Sequence, residues 1–198
     1  MSENAIVYLD TNIIVSLLTE DSLSDRAIEW LDEQTNSLAI SEWVCAEFNA
    51  VTGLRKRKSE LTANVANIAI NALQTRATKN FLMLNVSNEA SALAAEWLRN
   101  VDCILQTGDA LHLAVAYLGG ATSIATFDER FAKAAQKLKL RNMAIELIRA
   151  KPSRPLPAHR VEQERAIYDV KAYAKANVKA RAKTNVKTWV KTKATLKK

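Results

Sequence analysis

Apolar residues in the first 150 positions occur in short runs, separated by longer segments with helical spacing. The run Ile-Val-Tyr-Leu at 6–9 is typical of a buried strand, and it ends directly before Asp10. Further runs of strand-forming residues occur at 37–40, 81–86, 122–125 and 144–148. Together these runs predict the strands of a sheet.

In the segments between these runs, apolar residues recur every three or four positions, which predicts helices. In the segment 42–57 the apolar positions Val44 and Phe48 help to define one inward face, and Glu47 lies beside it. The segment 107–118 is almost wholly apolar and predicts a buried helix. Other helices are predicted after position 12, near 24–31, at 60–75, after Ser87 and after a capping box at 126–129. Strands that alternate with helices predict an α/β fold with a doubly wound, mostly parallel sheet flanked by helices.

The composition of the chain is that of a soluble globular protein with one well-buried domain: of 198 residues, 48% are hydrophobic and 25% are charged. The longest uncharged stretch, 110–127, contains His112 and two glycines, so it predicts core helix, turn and strand and not a membrane span. No signal peptide is expected, because the first residues lack a basic segment. Cys45 and Cys103 lack metal-ligand spacing and are predicted to be reduced thiols of a cytoplasmic protein.

The net charge of +7 is unevenly distributed along the chain. Residues 1–150 contain 14 Lys and Arg against 18 Asp and Glu, whereas residues 151–198 contain 14 against 3. We therefore predict a folded domain at 1–150, a Pro-containing linker at 151–169 and a Lys-rich tail at 170–198. The tail repeats an imperfect unit of eight residues, whose valines do not share one helical face. We expect it to be disordered or partly helical, because it cannot bury a core by itself.

Four carboxylates occupy comparable positions in this predicted topology. Asp10 follows the first strand, and Glu47 lies on the helix after the second. Asp109 and Asp128 lie in the first turns of two later helices. In a doubly wound sheet such positions meet at one edge. Taken singly, Asp109 and Asp128 are equally well explained as acids that stabilise helix N-termini by about 0.3–1 kcal/mol. Asp10 by itself is better explained as the cap of the helix that follows it. Glu47 is harder to explain in this way, because it borders an apolar face in mid-helix.

If the four carboxylates converge, they need a compensating cation. At about 4 Å and an effective dielectric constant of about 20, each pair of like charges costs roughly 4 kcal/mol. Arg130 is the one obvious compensating neighbour in sequence, and His112 is predicted to be a packed residue of the buried helix. Mg²⁺ or Mn²⁺, held by carboxylate and water oxygens, would relieve the repulsion and would support hydrolysis of a phosphodiester.

Four short motifs surround these acids. They are Tyr-Leu-Asp-Thr-Asn at 8–12, Ile-Ser at 40–41 with Glu-Phe at 47–48, Asp-Ala-Leu-His-Leu-Ala at 109–114, and Ala-Thr-Phe-Asp-Glu-Arg-Phe at 125–131. As an ordered set, they resemble the PIN-domain nucleases, and within them the VapC-like toxins of bacterial toxin–antitoxin pairs. The resemblance covers about residues 5–148.

This resemblance implies a PIN-like fold for residues 1–150 and a function in RNA cleavage. The matching acids, Asp10, Glu47, Asp109 and Asp128, would bind Mg²⁺ or Mn²⁺ and act as the catalytic residues of an endoribonuclease. Thr126 would lie beside the metal site, and Asn12 belongs to the same polar surroundings. The resemblance also implies a small antitoxin that blocks the site, and a homodimer.

Two features depart from the family pattern. The linker and the Lys-rich tail are an addition whose role the family does not supply. The folded region is also acidic for a nuclease, which leaves the basic run Arg55, Lys56, Arg57 and Lys58 as the main local candidate for phosphate contacts. A solvated helix end is an equally good interpretation of that run.

Three other interpretations of the sequence stand beside a nuclease. The first is a non-catalytic nucleic-acid-binding protein that acts through its basic C-terminal arm, where Tyr173 and Trp189 could stack on bases. The second makes that arm a non-functional repeat extension. The third is a receiver domain phosphorylated on an aspartate, which would need more than one acid after the first strand. Asp10 stands alone there.

Overall fold

The computed structural model describes residues 5–77, 79–99 and 104–149. The described residues belong to one unit of the chain, residues 1–154. The predicted linker at 151–169, the predicted tail at 170–198 and Cys103 lie outside the described residues, so the expectations for them stay predictions. In the described part of the chain, Cys45 is a free, half-buried thiol.

Five strands of the described chain form one sheet: β1 (Ile6–Leu9), β2 (Ser37–Ser41), β3 (Leu82–Leu84), β4 (Ser123–Thr126) and β5 (Ala144–Leu147). The strand order is β3-β2-β1-β4-β5, and every neighbouring pair is parallel. The predicted doubly wound α/β sheet is therefore confirmed. A receiver domain has the different strand order 2-1-3-4-5, so the structure rules out the receiver interpretation.

The central strands are buried on both faces. In β1 the consecutive residues Val7, Tyr8 and Leu9 are all at most 1% exposed, and in β4 Ile124 and Ala125 are fully buried. Consecutive strand residues point to opposite faces, so the sheet is covered on both sides, as parallel sheets require. This explains why the strands read as continuous apolar runs in the sequence.

The sheet is flanked by helices α1 (Thr11–Leu18), α2 (Ser24–Asp32), α3 (Glu42–Arg57), α4 (Ala63–Ala77), α5 (Asn88–Arg99), α6 (Thr107–Leu118) and α7 (Glu129–Lys137). The side chain of Ser41 caps α3 by accepting a hydrogen bond from the amide of Val44. Helix α6 is buried as predicted, with Leu113 and Ala114 inaccessible to solvent. No helix of the described ranges is both long enough and apolar enough to cross a membrane.

The predicted start of α4 at Glu60 is wrong, and the predicted strand 81–86 is too long. Ser59 adopts a left-handed conformation with φ of 60°, and the amide of Glu60 turns back to bond the carbonyl of Arg55. The helix begins only after Thr62, whose hydroxyl accepts a hydrogen bond from the amide of Val65. Strand β3 extends over three residues because it pairs with β2 alone, at the edge of the sheet.

Candidate active site

Asp10 lies at the point where the order of strands in the sheet reverses. It directly follows β1, which has β2 on one side and β4 on the other. The backbone amide of Asp10 donates a hydrogen bond to the carbonyl oxygen of Ala125 in β4, at 3.0 Å. Open α/β sheets bind their ligands in the crevice at this switch point, so the fold itself marks the position.

The carboxylate of Asp10 is held by side chains and does not cap the following helix. Asp10 occupies the N-cap position of α1, but its side chain makes no capping hydrogen bond. Its Oδ2 instead accepts hydrogen bonds from Asn12 Nδ2 and Thr126 Oγ1, both at 2.6 Å. Burial raises the pKa of Asp10, and the charge of Glu47 raises it further, against the opposing effects of His112 and Thr126. The capping interpretation therefore describes the backbone position of Asp10 and not its side chain.

The hydroxyl of Thr126 connects two of the predicted acids. It donates to Asp10 and accepts hydrogen bonds from Asn12 Nδ2 at 3.0 Å and from the backbone amide of Asp128 at 2.9 Å. Asn12 also accepts a hydrogen bond through its Oδ1 from the amide of Phe127, at 3.2 Å. These bonds fix the end of β4 against the start of α1. The positions of Asp10 and Asp128 relative to one another are therefore fixed.

Asp128, and not Thr126, is the N-cap of α7, which corrects the capping box predicted at 126–129. Its Oδ1 accepts hydrogen bonds from the amides of Arg130 and Phe131, at 2.7 and 3.1 Å. Thr126 does not cap the helix, because it is the last residue of β4 and its hydroxyl donates to Asp10. Among the described residues no hydrogen bond is made to the second oxygen of Asp128, so that oxygen is available to another ligand.

Glu47 projects from α3 and is held through one oxygen. Its Oε2 accepts hydrogen bonds from Thr11 Oγ1 at 2.6 Å and from His112 Nε2 at 2.7 Å. Burial acts to raise the pKa of Glu47, but these hydrogen bonds outweigh it and the pKa is lowered. The other oxygen, Oε1, lies over the start of α6, where a Cβ atom added to Gly108 would be only 2.8 Å away. Trp43 Nε1 is close enough to help to lower that pKa, yet this buried nitrogen forms no hydrogen bond within the described residues.

Asp109 is a second acid whose ionisation is opposed by its surroundings. It lies in the first turn of α6, next to Gly108, and is half-buried. Burial, followed by the negative charges of Asp10 and Asp128, raises its pKa from the ordinary value of 3.8 to about 6. Since Asp10 and Asp128 both act on Asp109, and Glu47 acts on Asp10 and lies over Gly108, the structure brings the four predicted acids to one edge of the sheet.

His112 is the side chain of the site that sequence reasoning missed. It is 1% exposed, as expected for a packed residue of a buried helix, but its Nε2 also lies 2.7 Å from Glu47 Oε2 and 3.6 Å from Asp10 Oδ1. Its position was detectable, because His112 follows Asp109 by three residues and so projects from the same side of the helix. Arg130, the one compensating neighbour expected from sequence, forms no ion pair with the acids, and among the described residues no Lys or Arg side chain does. His112 is instead the basic side chain that lies against Asp10 and Glu47.

The predicted basic run lies at the far end of α3 from the acids. Arg55 is eight residues after Glu47, about 12 Å along the helix axis. Its guanidinium donates hydrogen bonds to Thr19 Oγ1 and to the carbonyl of Glu20. The remaining members of the run, Lys56, Arg57 and Lys58, are exposed. Arg55 therefore links α3 to the end of α1, whereas the other three basic side chains are available to a ligand.

The donor set at the sheet edge fits a hard divalent cation in its chemistry. Within the described ranges, no group of three or more His, Cys, Asp or Glu side chains has the geometry to hold a metal ion. However, the negative charges of Asp10 and Asp128 raise the pKa of Asp109, and that of Glu47 raises the pKa of Asp10. No Lys or Arg side chain of the described residues pairs with these acids. Such oxygen donors match Mg²⁺ or Mn²⁺, whose positive charge would offset the repulsion.

A doubly wound parallel sheet with carboxylates gathered at its switch point defines the general class of the protein. The model of the PIN domain family matches residues 7–137, about two thirds of the chain. The chain therefore belongs to the PIN domain family, as its motifs predicted.

Within that family the chain is similar to VapC proteins. It is 25% identical over 139 residues to Ribonuclease VapC35 of Mycobacterium tuberculosis, covering 68% of this chain and 93% of that protein. The fold resembles that of VapC20 of Mycobacterium tuberculosis, described as a sarcin–ricin loop cleaving toxin, with a TM-score of 0.53 and 22% identity over 65% of this chain and 94% of that one. It also resembles FitAcB of Neisseria gonorrhoeae, with a TM-score of 0.55 and 20% identity over 71% of this chain and 96% of that one.

Proposed function

We propose that this protein is a metal-dependent endoribonuclease that hydrolyses RNA phosphodiester bonds, and that it is the toxin of a toxin–antitoxin pair. The observation that carries the proposal is the group of carboxylates Asp10, Glu47, Asp109 and Asp128 at the switch point of a PIN-domain sheet, without Lys or Arg partners among the described residues. The names of two similar proteins support it, since VapC35 is a ribonuclease and VapC20 is a toxin that cleaves the sarcin–ricin loop.

In this proposal, Asp10, Asp109, Asp128 and Oε1 of Glu47 would hold Mg²⁺ or Mn²⁺. When bound, such a cation offsets the negative charge of the phosphate and activates water for in-line attack. The protein's own contribution is to keep the oxygens in place before the substrate arrives. Asp10 cannot rotate freely, because Asn12 and Thr126 hold one of its oxygens. A preorganised donor set needs little rearrangement during the reaction, and this lowers the barrier.

The elements that carry these side chains are rigid. Asp10 and Asp128 each follow a central strand, Glu47 lies in the middle of α3, and Asp109 begins the buried helix α6. Sites built on strands and helices hold their geometry better than sites built on loops. Because α6 is buried, Asp109 cannot move independently of the core.

The partners follow from the proposed activity. RNA is the substrate, and the exposed cations Lys56, Arg57 and Lys58 are the local candidates for contacts with its phosphates. A cognate antitoxin protein would have to cover the acids, and a basic segment would complement their charge. A homodimer and a cytoplasmic location complete the proposal.

Cleavage of RNA by the purified full chain tests the proposal. We expect cleavage in Mg²⁺ or Mn²⁺, no cleavage in chelator, and none by the Asp10→Asn variant in either metal. Asp32→Asn is the matched control, because it removes the same charge from an exposed position on α2. Cleavage at the wild-type rate by Asp10→Asn, in preparations purified identically, would show that these carboxylates are not the active site.

A further inference from the structure

A continuous chain of buried hydrogen bonds runs beneath the candidate active site, from the start of α3 to Glu47. Its links are the amide of Val44 to Ser41 Oγ at 3.4 Å, Ser41 Oγ to Tyr8 Oη at 2.6 Å, Tyr8 Oη to His112 Nδ1 at 3.0 Å, and His112 Nε2 to Glu47 Oε2 at 2.7 Å. Ser41, Tyr8 and His112 are each at most 1% exposed. Such buried polar groups are costly unless every one has a partner, so the chain must be satisfied as a unit.

The chemistry of the end groups determines which atom donates at each link. An ionised Glu47 carboxylate only accepts hydrogen bonds, so His112 Nε2 carries the proton that it donates. From the other end of the chain, the oxygen of Ser41 accepts from the amide of Val44, so its proton goes to Tyr8 Oη. The Tyr8 hydroxyl therefore donates to Nδ1, and Nδ1 is an acceptor. Burial raises the pKa of Tyr8, which keeps that hydroxyl protonated. Ser41 in turn donates to Tyr8 Oη and accepts from the amide of Val44, and every atom of the chain is satisfied.

The result at the active-site end is that one oxygen of Glu47 is immobilised. Thr11 and His112 both donate to Oε2, from two different helices. With Oε2 fixed, Oε1 is directed over Gly108 toward the start of α6, where Asp109 lies. Among the described residues both hydrogen bonds to Glu47 go to Oε2, and none goes to Oε1.

We infer that His112 is a positioning residue that aims Glu47 Oε1 at the shared site, and that Tyr8 and Ser41 lock the orientation of its ring. The inference rests on the proposed function to the extent that Glu47 is a ligand of the bound cation. Partners that orient a ligand in this way are typically worth about 10–100-fold in metal affinity. Neither His112 nor Tyr8 would contact the cation or the RNA.

The tautomer of His112 can be measured without metal or RNA, by ¹⁵N NMR of the imidazole nitrogens in the full chain. The chain has two histidines, His112 and His159, so the signals that disappear in a His112→Gln variant identify His112. We expect a single form protonated on Nε2 in the wild type and in Tyr117→Phe, a matched control on the exposed end of α6. In Tyr8→Phe, Glu47 still accepts from Nε2, so we expect Nε2 to stay protonated and the Nδ1 signal to move to that of an acceptor without a hydrogen bond. An unchanged Nδ1 signal in Tyr8→Phe would overturn the inference.

Binding of Mn²⁺ alone, followed by calorimetry, provides the second readout. Tyr8→Phe should bind Mn²⁺ about 10-fold more weakly than Tyr117→Phe. His112→Gln places an amide nitrogen near the position of Nε2 and should retain most of the affinity. His112→Asn reaches only the position of Nδ1 and should lose about 10-fold. Equal affinities of the Gln and Asn variants would show that His112 only fills space.

The two readouts separate this inference from the proposed function. If the wild type neither binds Mn²⁺ nor cleaves RNA, the proposed function fails, while the NMR experiment still decides the hydrogen-bond chain. If Asp10→Asn abolishes cleavage but Tyr8→Phe changes neither the Nδ1 signal nor Mn²⁺ affinity, the proposed function stands and the positioning role of His112 is rejected.

Discussion

Replacing Asp109 with Asn should stabilise the metal-free protein, because this carboxylate is ionised at a cost to folding. Burial and the charges of Asp10 and Asp128 raise its pKa from 3.8 to about 6. At neutral pH the folded protein must ionise a group that the unfolded chain ionises more easily. The rise in pKa corresponds to an upper limit of about 3 kcal/mol. Since Asp109 is half-exposed and solvent screens its charge, we expect a gain of about 1–2 kcal/mol in the free energy of unfolding.

The pH dependence of that gain has a definite sign. Below about pH 4, Asp109 is protonated in both the folded and the unfolded chain, so the variant has no advantage. As the pH rises from about 4 to 6, the unfolded chain releases its proton first, and the wild type loses stability. The advantage of Asp109→Asn should therefore appear over this interval and remain constant at higher pH.

Urea unfolding in chelator, at acid and at neutral pH, measures the effect. Asp32→Asn is the matched control and should change the free energy of unfolding by less than about 0.5 kcal/mol, because Asp32 is exposed. In excess Mg²⁺ the wild type should recover stability and the variant should recover less, since ligand binding to the folded state alone is stabilising. Equal stability of the two variants in chelator at neutral pH would show that the acids do not repel one another as the structure indicates.

Three other changes test the remaining contacts. Gly108→Ala should leave the melting temperature unchanged or slightly higher but lower the rate of RNA cleavage, because its Cβ would displace Oε1 of Glu47; an unchanged rate would contradict this. Thr126→Val loses three hydrogen bonds and should cost about 1–3 kcal/mol in a urea titration together with most of the activity, whereas Thr126→Ser should retain both. A chain truncated after residue 150 should still cleave RNA, while its affinity should fall and depend less steeply on salt if the Lys-rich tail binds phosphates; loss of cleavage would instead place the activity in the tail.

Local patterns in the sequence predicted the elements well and their ends less well. The apolar runs specified all five strands of the described chain. In β1 and β4 the reason is that buried parallel strands have no polar face to interrupt them, whereas Leu82 and Met83 of the edge strand β3 are exposed. The start of α4 was misplaced, because Ser59 adopts a left-handed conformation that a serine does not predict. The cap of α7 moved from Thr126 to Asp128, because the Thr126 hydroxyl is drawn to Asp10 by a contact across the sheet.

The four acids were found from sequence because each follows or borders a recognisable element. Their convergence depends on strand order, which a sequence pattern does not encode directly. The role of His112 was missed for the same reason, since the residue lies 65 positions from Glu47 and 104 from Tyr8 along the chain. The local sequence around a buried histidine in an apolar helix is the same whether its ring packs against apolar side chains or donates a hydrogen bond to a carboxylate.

The sequence by itself thus determined the fold class, the family and the identities of the acids, because these depend on periodicity and on short motifs. Only the tertiary structure decided which groups each acid contacts. It turned Asp10 from a helix cap into a carboxylate held by Thr126, and it joined Glu47 to Tyr8 through His112. Hydrogen bonds are short and directional, so their partners are settled only when strands and helices from distant parts of the chain are packed together.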